Sequence, residues 1–250
     1  MIPRNFIVTS VLITALLISY SIKSNAQKSS KPQPANTLTS QEKKDGWILL
    51  FDGKTLANWK GFKKDSIGSG WQVENGTLHF NGTPGSGDIV SKGEYQNFEL
   101  QLEWKIAKNG NSGIFYYVAE APEYNATYET GLEMQILDDD GHPDAKNGVN
   151  DNRKAATLYD MIPAPKAVLN KVGEQYNKVV IKANNGHVEH WINGQKVVEF
   201  QKGSKEWTAL VEGSKFNGWK GFGKYDKGHI ALQDHGDKIW FRNIKIKVLK

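Results

Sequence analysis

The residues that could carry out chemistry lie close together in the stretch 131–142, which reads G-L-E-M-Q-I-L-D-D-D-G-H. Because side chains alternate between the two faces of a β-strand, Glu133 and Gln135 would share one face, and Met134 and Ile136 the other. Such a strand packs its apolar face on a core and leaves its polar face for solvent or a ligand. The stretch therefore predicts a strand that presents a carboxylate and an amide on one side.

Further ionisable groups follow at the end of this strand, namely Asp138, Asp139, Asp140 and His142. Proteins use carboxylates and imidazoles for proton transfer and as ligands of divalent cations. Their spacing here matches no recognised metal motif, and a solvated strand ending in an Asp-Gly turn explains the same residues. The stretch is therefore either a catalytic edge or a polar surface.

Two other strand-like stretches carry polar residues on one face. Glu103 lies in F-E-L-Q-L-E-W-K-I (98–106), and Gln233 and His235 alternate in G-H-I-A-L-Q-D-H-G (228–236). If these strands are neighbours in one sheet, their polar residues would line one concave face. The predicted catalytic residues are Glu133, as the first choice for general base, with His235, His142 and Glu103. The predicted substrate contacts on the same face are Gln135 and Gln233.

A long segment, 138–170, is rich in Pro, Gly and Asn and has no regular pattern. Unpatterned loops of this length in a compact domain are usually functional or disordered. We predict substrate contacts from Tyr159, in A-A-T-L-Y-D, and from Lys171, although Lys171 fits a solvated position better. The residues predicted to hold a divalent cation are Glu133, Asp138, His142 and His235.

The N-terminal residues 1–26 have the features of a secretory signal peptide. Arg4 provides a positive charge, 6–18 is an apolar run, and Ser24 and Ala26 are small residues at the cleavage positions. The run is too short and too weakly flanked for a membrane span. We therefore predict an exported protein that is periplasmic, at the cell surface or secreted, with no membrane span in the mature chain.

After the signal peptide, residues 27–44 are rich in Lys, Ser, Pro and Gln, which predicts a flexible tether ending in a short helical turn at 38–44. The domain is predicted to occupy 45–250. The chain has no cysteine, which excludes disulfides, thiolate metal sites and cysteine nucleophiles. It also lacks the clusters of Lys and Arg interleaved with aromatics that nucleic-acid partners require, so none is predicted.

Short strands account for most of the remaining pattern. W-Q-V-E and T-L-H-F flank Asn75-Gly76, a pair typical of a tight hairpin turn. The stretch 98–106 alternates over its whole length, and no segment sustains a helical period for ten residues. About a dozen strands with turns between them predict an all-β sandwich or barrel.

Several motifs in order resemble one protein family. They are W-I-L-L-F-D-G-K-T-L-A-N-W, G-W-Q-V-E-N-G-T-L, D-I-V-S, F-E-L-Q-L-E-W-K-I, N-S-G-I-F-Y, G-L-E-M-Q-I-L-D, A-A-T-L-Y-D, V-E-H-W-I-N-G, G-H-I-A-L-Q-D-H-G and F-R-N-I-K-I. Over about 46–249 the chain resembles the 3-keto-disaccharide hydrolase family. The resemblance implies a two-sheet jelly-roll sandwich similar to concanavalin A-like lectins and glucanases. It also implies action on glycosides that carry a ketone at C3.

A C3 ketone makes the neighbouring C2 proton acidic, so a general base can remove it and the C1 substituent can leave by β-elimination. Adding water to the resulting enone gives net hydrolysis. No organic cofactor is predicted, and the expected functional partner is an oxidoreductase that makes the ketone. Related glucanases carry a second carboxylate two residues along the strand, where this chain has Gln135. That difference weighs against a conventional glycosidase mechanism.

Three other interpretations remain open. A lectin-like carbohydrate-binding module would use the same face without a base, and a conventional endo-glycosidase would act on unoxidised glycosides. A structural surface protein would need neither, and the grouping of acids and histidines argues against it.

Overall fold

A computed structural model describes residues 33–250. The predicted signal peptide and the first residues of the predicted tether lie outside the described residues. Two α-helices and thirteen β-strands are present within 33–250. The helices are α1 (Ser40–Lys44) and α2 (Lys205–Glu212). The strands are β1 (Trp47–Leu49), β2 (Trp59–Gly61), β3 (Trp71–Glu74), β4 (Thr77–Phe80), β5 (Ile89–Tyr95), β6 (Phe98–Ile106), β7 (Asn111–Val118), β8 (Leu132–Leu137), β9 (Asn177–Asn184), β10 (His187–Ile192), β11 (Gln195–Gln201), β12 (Gly228–Leu232) and β13 (Ile239–Val248).

The strands form two antiparallel sheets. An eight-stranded sheet has the order β11-β10-β9-β6-β13-β4-β3, with β1 also paired to β13. A five-stranded sheet has the order β2-β5-β12-β7-β8. The predicted all-β sandwich of two sheets is therefore confirmed.

The core lies between the sheets and is filled by the apolar faces of alternating strands. Along β6, the buried residues Leu100, Leu102 and Trp104 point inward, and the polar residues between them point outward. From the five-stranded sheet, Met134 and Ile136 of β8 enter the same core. Burying these large side chains contributes about 1.5–3 kcal/mol each before the entropy of ordering is subtracted. The polar residues of β6 and β8 consequently lie on the outer faces of the two sheets.

The hairpin predicted at 71–80 is confirmed as β3 and β4. Asn75 and Gly76 both have positive φ, at 48° and 75°, as the tight turn requires. The helix α2 was not predicted. It covers only eight residues in a segment rich in Gly and Lys, and it begins at the side-chain cap of Ser204. A helix of eight residues shows too few repeats of the helical period to be recognised from the sequence.

The predicted tether is too long, because part of it packs on the sandwich. The backbone N–H of Asn36 donates to Asn243 (2.7 Å), and its side-chain amide donates to the carbonyl of Gly76 (2.8 Å). The predicted helical turn is present as α1, which starts at a capping box formed by Thr39 and Glu42. The packed domain therefore begins before the predicted boundary at residue 45.

Among the helices of residues 33–250, neither has the length and apolar character needed to cross a membrane.

Candidate active site

The outer face of the five-stranded sheet carries Glu133 and Gln135, as the alternation predicts. Both are buried, with Glu133 only 8% exposed. On the neighbouring strand β7, Gly113 is paired with Gln135, and a Cβ at this position would collide with Oε1 of Glu133. Gly113 therefore leaves the space that the Glu133 carboxylate occupies.

A cavity of about 230 Å³ lies over this face. It is lined by strand residues and by aromatic and charged residues from the loops above. These are Asn111, Tyr128, Glu133, Gln135, Tyr159, Lys215, Phe216, Trp219, Gln233 and His235. A concave site with a few converging polar groups and a buried carboxylate is the usual form of a small-molecule binding site.

The carboxylate of Glu133 is electrostatically unusual. Burial raises its pKa to about 8, Lys215 opposes this rise, and the negative charges of Asp88 and Asp144 reinforce it. Removing a carboxylate from water disfavours its charged form, and nearby negative charge does the same. A carboxylate with such a pKa is a stronger base than an ordinary glutamate, which is what proton abstraction from carbon needs.

The Tyr159 wall of the cavity is built by a segment that extends the sheet beyond β8. The N–H of Tyr159 donates to the carbonyl of Glu133 (3.0 Å), and the N–H of Gln135 donates to the carbonyl of Thr157 (3.2 Å). The Tyr159 hydroxyl donates to Asp144 (2.8 Å), which Arg153 also contacts at 3.1 Å. Tyr159, which was predicted as a substrate contact, therefore lines the cavity, and this network holds its ring.

The opposite end of the cavity is formed by residues after β12. The N–H of Gln233 donates to the carbonyl of Gly113 (3.1 Å), so the sheet pairing extends past the end of β12. Nε2 of His235 lies 3.4 Å from the side-chain amide of Asn111. Glu133, Gln135, Gln233 and His235, which were predicted to share one concave face with Glu103, therefore line this cavity together without it.

Beside the cavity, the rings of His142 and His235 meet edge to face with centroids 5.8 Å apart. His142, His235 and Asp237 each offer one ligand atom within 4.8 Å of the others, so these three could hold a cation. Nδ1 of His142 already accepts the N–H of Asp144 (3.1 Å), which leaves the proton of the neutral ring on Nε2. A cation bound to this ring would have to displace either the N–H of Asp144 from Nδ1 or the ring proton from Nε2.

The predicted four-residue cation set is not formed. Asp138 turns its carboxylate away to accept the backbone N–H groups of Asn109 (2.7 Å) and Gly141 (3.2 Å). The group with ligand spacing at this end of the cavity contains Asp237 in place of Asp138 and Glu133. The acidic run after β8 therefore stabilises its own turn. Its sequence alone does not distinguish such a turn from a metal-binding loop.

Two other predicted site residues lie elsewhere. Glu103 is on the outer face of the eight-stranded sheet, where it accepts from Arg242 (2.7 Å) and Asn243 (3.1 Å), so its predicted position beside Glu133 is wrong. Lys171 is 70% exposed, pairs with Glu174 at 2.6 Å and does not line the cavity. The alternation showed that Glu103 points outward but not from which sheet.

Several cavity residues were not predicted. Lys215, Phe216 and Trp219 come from the loop after α2, and Tyr128 comes from the connection between β7 and β8. The Lys215 ammonium lies 4.1 Å from the centroid of the Tyr159 ring. The aromatic residues of 202–228 were the available signal, but a loop pattern does not reveal which surface the loop covers.

Comparison with known proteins identifies the family. Residues 46–247 match the model of the 3-keto-α-glucoside-1,2-lyase-like domain. The chain belongs to this family. It is an enzyme by that membership, as the sequence resemblance implied.

Relatives cover most of this lyase-like chain. It is 40% identical over 247 residues to the 3-keto-disaccharide hydrolase of Bacteroides thetaiotaomicron, covering 89% of this chain and 85% of the relative. A crystal structure of a candidate glycosyl hydrolase from Parabacteroides distasonis matches with 37% identity and a TM-score of 0.79, over 87% of this chain and all of that one. A second from the same species matches with 31% identity and a TM-score of 0.65, over 81% of this chain and 99% of that one.

Proposed function

We propose that the protein cleaves 3-keto-glycosides by removing the C2 proton with Glu133. The observation that carries this proposal is a buried carboxylate of raised pKa at the floor of a cavity lined by polar and aromatic groups. The names of the family and of the curated relative support a 3-keto sugar as the substrate class. The absence of a second carboxylate at position 135 supports elimination over the two-carboxylate mechanism of ordinary glycosidases.

The reaction proceeds in balanced steps. The Glu133 carboxylate takes the C2 proton, and the electron pair of that C–H bond forms a C2–C3 double bond while the C3 carbonyl electrons move to oxygen. The enolate then reforms the carbonyl, a C1–C2 double bond forms, and the C1–oxygen bond breaks. The leaving oxygen takes a proton, and addition of water to the enone completes net hydrolysis. A positioned base of this kind contributes about 10²–10⁴-fold to rate.

The proton for the leaving oxygen is assigned to His235, with His142 beside it. His235 lines the cavity, and its Nδ1 lies 4.0 Å from a carboxylate oxygen of Asp237. The alternative occupant of this end is a divalent cation held by His142, His235 and Asp237. We expect turnover to survive exhaustive treatment with a chelator. If activity disappeared and manganese or zinc restored it, the cation would replace the imidazole in this role.

A second cavity, of about 540 Å³, adjoins the first and suits the leaving group. The two share Tyr128 and Trp219, whose ring centroids are 5.9 Å apart, and Tyr124 adds a third ring. Flat aromatic faces pack well on the apolar faces of rings. We therefore propose that the 3-keto-glucosyl unit occupies the cavity over Glu133 and that the leaving group lies in the second.

The decisive experiment compares the unsubstituted protein and Glu133→Gln on a 3-keto-glycoside and on its unoxidised parent. The change keeps the shape of the side chain and removes the base, so we expect turnover of the keto substrate to fall by about 10²–10⁴-fold. Glu103→Gln, on the other sheet, is the matched control. Turnover of the parent alone would indicate a conventional glycosidase, and binding without turnover of either would indicate a lectin-like module.

We further propose that the protein is exported and works with an oxidoreductase that makes its keto substrate. The apolar run at 6–18 and the small residues before position 27 support export. Mass spectrometry of the protein from its native envelope should find an N-terminus near Gln27. Recovery of the chain with Met1 intact would contradict export by cleavage.

A further inference from the structure

We propose that the Lys215 ammonium stabilises the negative charge that develops on the C3 oxygen when Glu133 removes the C2 proton. The inference rests on the proposed function and adds the electrophilic partner that enolate formation requires. It assigns a catalytic role to a loop residue with no recognisable sequence motif around it.

Lys215 is held in an unusual way for a surface lysine. Its ammonium lies 4.1 Å from the ring centroid of Tyr159 and 5.1 Å from that of Phe216. Within residues 33–250, no carboxylate oxygen lies within 4.0 Å of this ammonium. By contrast, the nearby Arg153 is engaged by both Asp144 and Asp160. Aromatic faces attract an ammonium electrostatically, and because no carboxylate engages it in the described residues, the ammonium keeps N–H donors for a ligand.

The order of strands places Lys215 on the correct side of the base. Across the outer face, His235 follows β12, then β7 intervenes, then Glu133 lies on β8, and Tyr159 lies beyond β8. Lys215 packs on Tyr159, so it approaches Glu133 from the side opposite His235. In the sugar ring, C1 and C3 flank C2. A base over C2 with one partner on each side is therefore the arrangement that elimination needs.

The positive charge of Lys215 acts on the removal of the C2 proton, because this step moves negative charge from Glu133 to the C3 oxygen. Before the reaction the charge is on Glu133, and afterwards it is on the C3 oxygen. Lys215 lies close enough to Glu133 to oppose the rise in its pKa, and desolvation in turn lowers the pKa of Lys215. The Lys215 side chain as a whole is exposed, so it can meet a substrate that enters the cavity. Once bound substrate displaces water, the attraction between the ammonium and the enolate strengthens.

The test separates enolate formation from loss of the leaving group. A 3-keto-1,5-anhydroglucitol has no exocyclic oxygen at C1, so in deuterated water it reports removal of the C2 proton alone, followed by NMR. We expect Lys215→Met to slow this exchange by about 10²–10³-fold, the usual effect of removing one oxyanion donor. Lys215→Arg should keep the larger part of the rate because it retains the charge.

Two comparisons exclude a merely structural effect. Lys205→Met removes an exposed lysine of α2 and should catalyse exchange of the C2 proton as fast as the unsubstituted protein does. Leaving-group dependence provides the second comparison. Lys215→Met should slow turnover of the 3-keto-glycosides of methanol and of 4-nitrophenol by the same factor. By contrast, His235→Gln should slow turnover of the methyl glycoside more than that of the nitrophenyl glycoside, and it should leave the exchange of the C2 proton intact. Thermal melting of each variant confirms folding.

Three outcomes would overturn the inference. One is exchange that Lys215→Met leaves unchanged while the unsubstituted protein exchanges. Another is an effect of Lys215→Met that depends on the leaving group, which would place the ammonium at the C1 oxygen. The third is a borohydride-trapped adduct on Lys215, in which the amine replaces the ketone oxygen as water is lost. If the unsubstituted protein failed to exchange, the proposed function would fall first and this inference with it.

Discussion

The raised pKa of Glu133 makes the stability of the protein depend on pH in a way that Glu133→Gln should abolish. The pKa rises from an ordinary 4.5 to about 8, chiefly because the carboxylate is buried over the five-stranded sheet. In the unfolded chain the same group returns to water and to its ordinary pKa. Glutamine has a similar shape and no proton to exchange, so the difference between the two proteins isolates this one titration.

The sign of the effect follows from proton counting. Below pH 4.5 both states of the unsubstituted protein carry the proton, so the titration contributes nothing. Between pH 4.5 and about 8 the folded state keeps a proton that the unfolded state releases. The free energy of unfolding should therefore fall, relative to Glu133→Gln, by about 1.4 kcal/mol per pH unit. Above the folded pKa the difference should level off at about 5 kcal/mol.

Urea unfolding of both proteins from about pH 5 to about pH 9 measures this difference. Other titrating groups, such as Asp88, whose pKa is raised to about 6 by burial, occur in both proteins and largely cancel. A difference that stays constant over this range would show that Glu133 ionises normally, and the argument for an unusually strong base would fail. In the same range, kcat/KM for a 3-keto-glycoside should rise with pH, because only the ionised carboxylate accepts the C2 proton.

Three further predictions test the surroundings of Glu133. Glu103→Gln should leave turnover unchanged and lower the free energy of unfolding by about 0.2–1 kcal/mol, as urea unfolding would show, because it removes a partly exposed ion pair with Arg242; a loss of turnover would contradict the assignment of the site to the other sheet. Trp219→Ala should weaken the binding of a 3-keto-disaccharide by about 0.5–1.5 kcal/mol, measured as a higher KM, and should change KM for the methyl glycoside little. Equal effects on both substrates would place Trp219 on the keto sugar. Asp88→Asn should move the pH midpoint of kcat/KM downward, because it removes a negative charge that raises the pKa of Glu133; an unmoved midpoint would show that the two carboxylates are independent.

Much of the fold was predictable because strand periodicity is local. The stretch 98–106 corresponds to β6 residue for residue, and the Asn75-Gly76 turn joins the two strands it was expected to join. The short strand β2 and the helix α2 were missed because each is too brief to show a period. Pairing between strands distant in sequence is set by packing in three dimensions, which no short window contains.

The candidate site was predictable only in part, for the same reason. Glu133, Gln135, Gln233 and His235 were found because alternation indicates which residues of a strand share a face. Glu103 satisfied the same rule and lies on the opposite side of the molecule. Alternation distinguishes inward from outward, but in a sandwich there are two outward faces.

The property that makes Glu133 a base is absent from its strand altogether. The alternation of β8 predicts a half-exposed strand, yet all six of its residues are buried. The difference comes from segments remote in sequence, because Tyr159, Phe216 and Trp219 close over the outer face. Gly113 leaves room for the carboxylate, and the loops remove its water. The same residue on an uncovered sheet would be an ordinary solvated glutamate, so its base strength is a consequence of tertiary structure. Loop variants that expose the cavity should therefore lower the pKa of Glu133 and weaken it as a base, although Glu133 itself is unchanged.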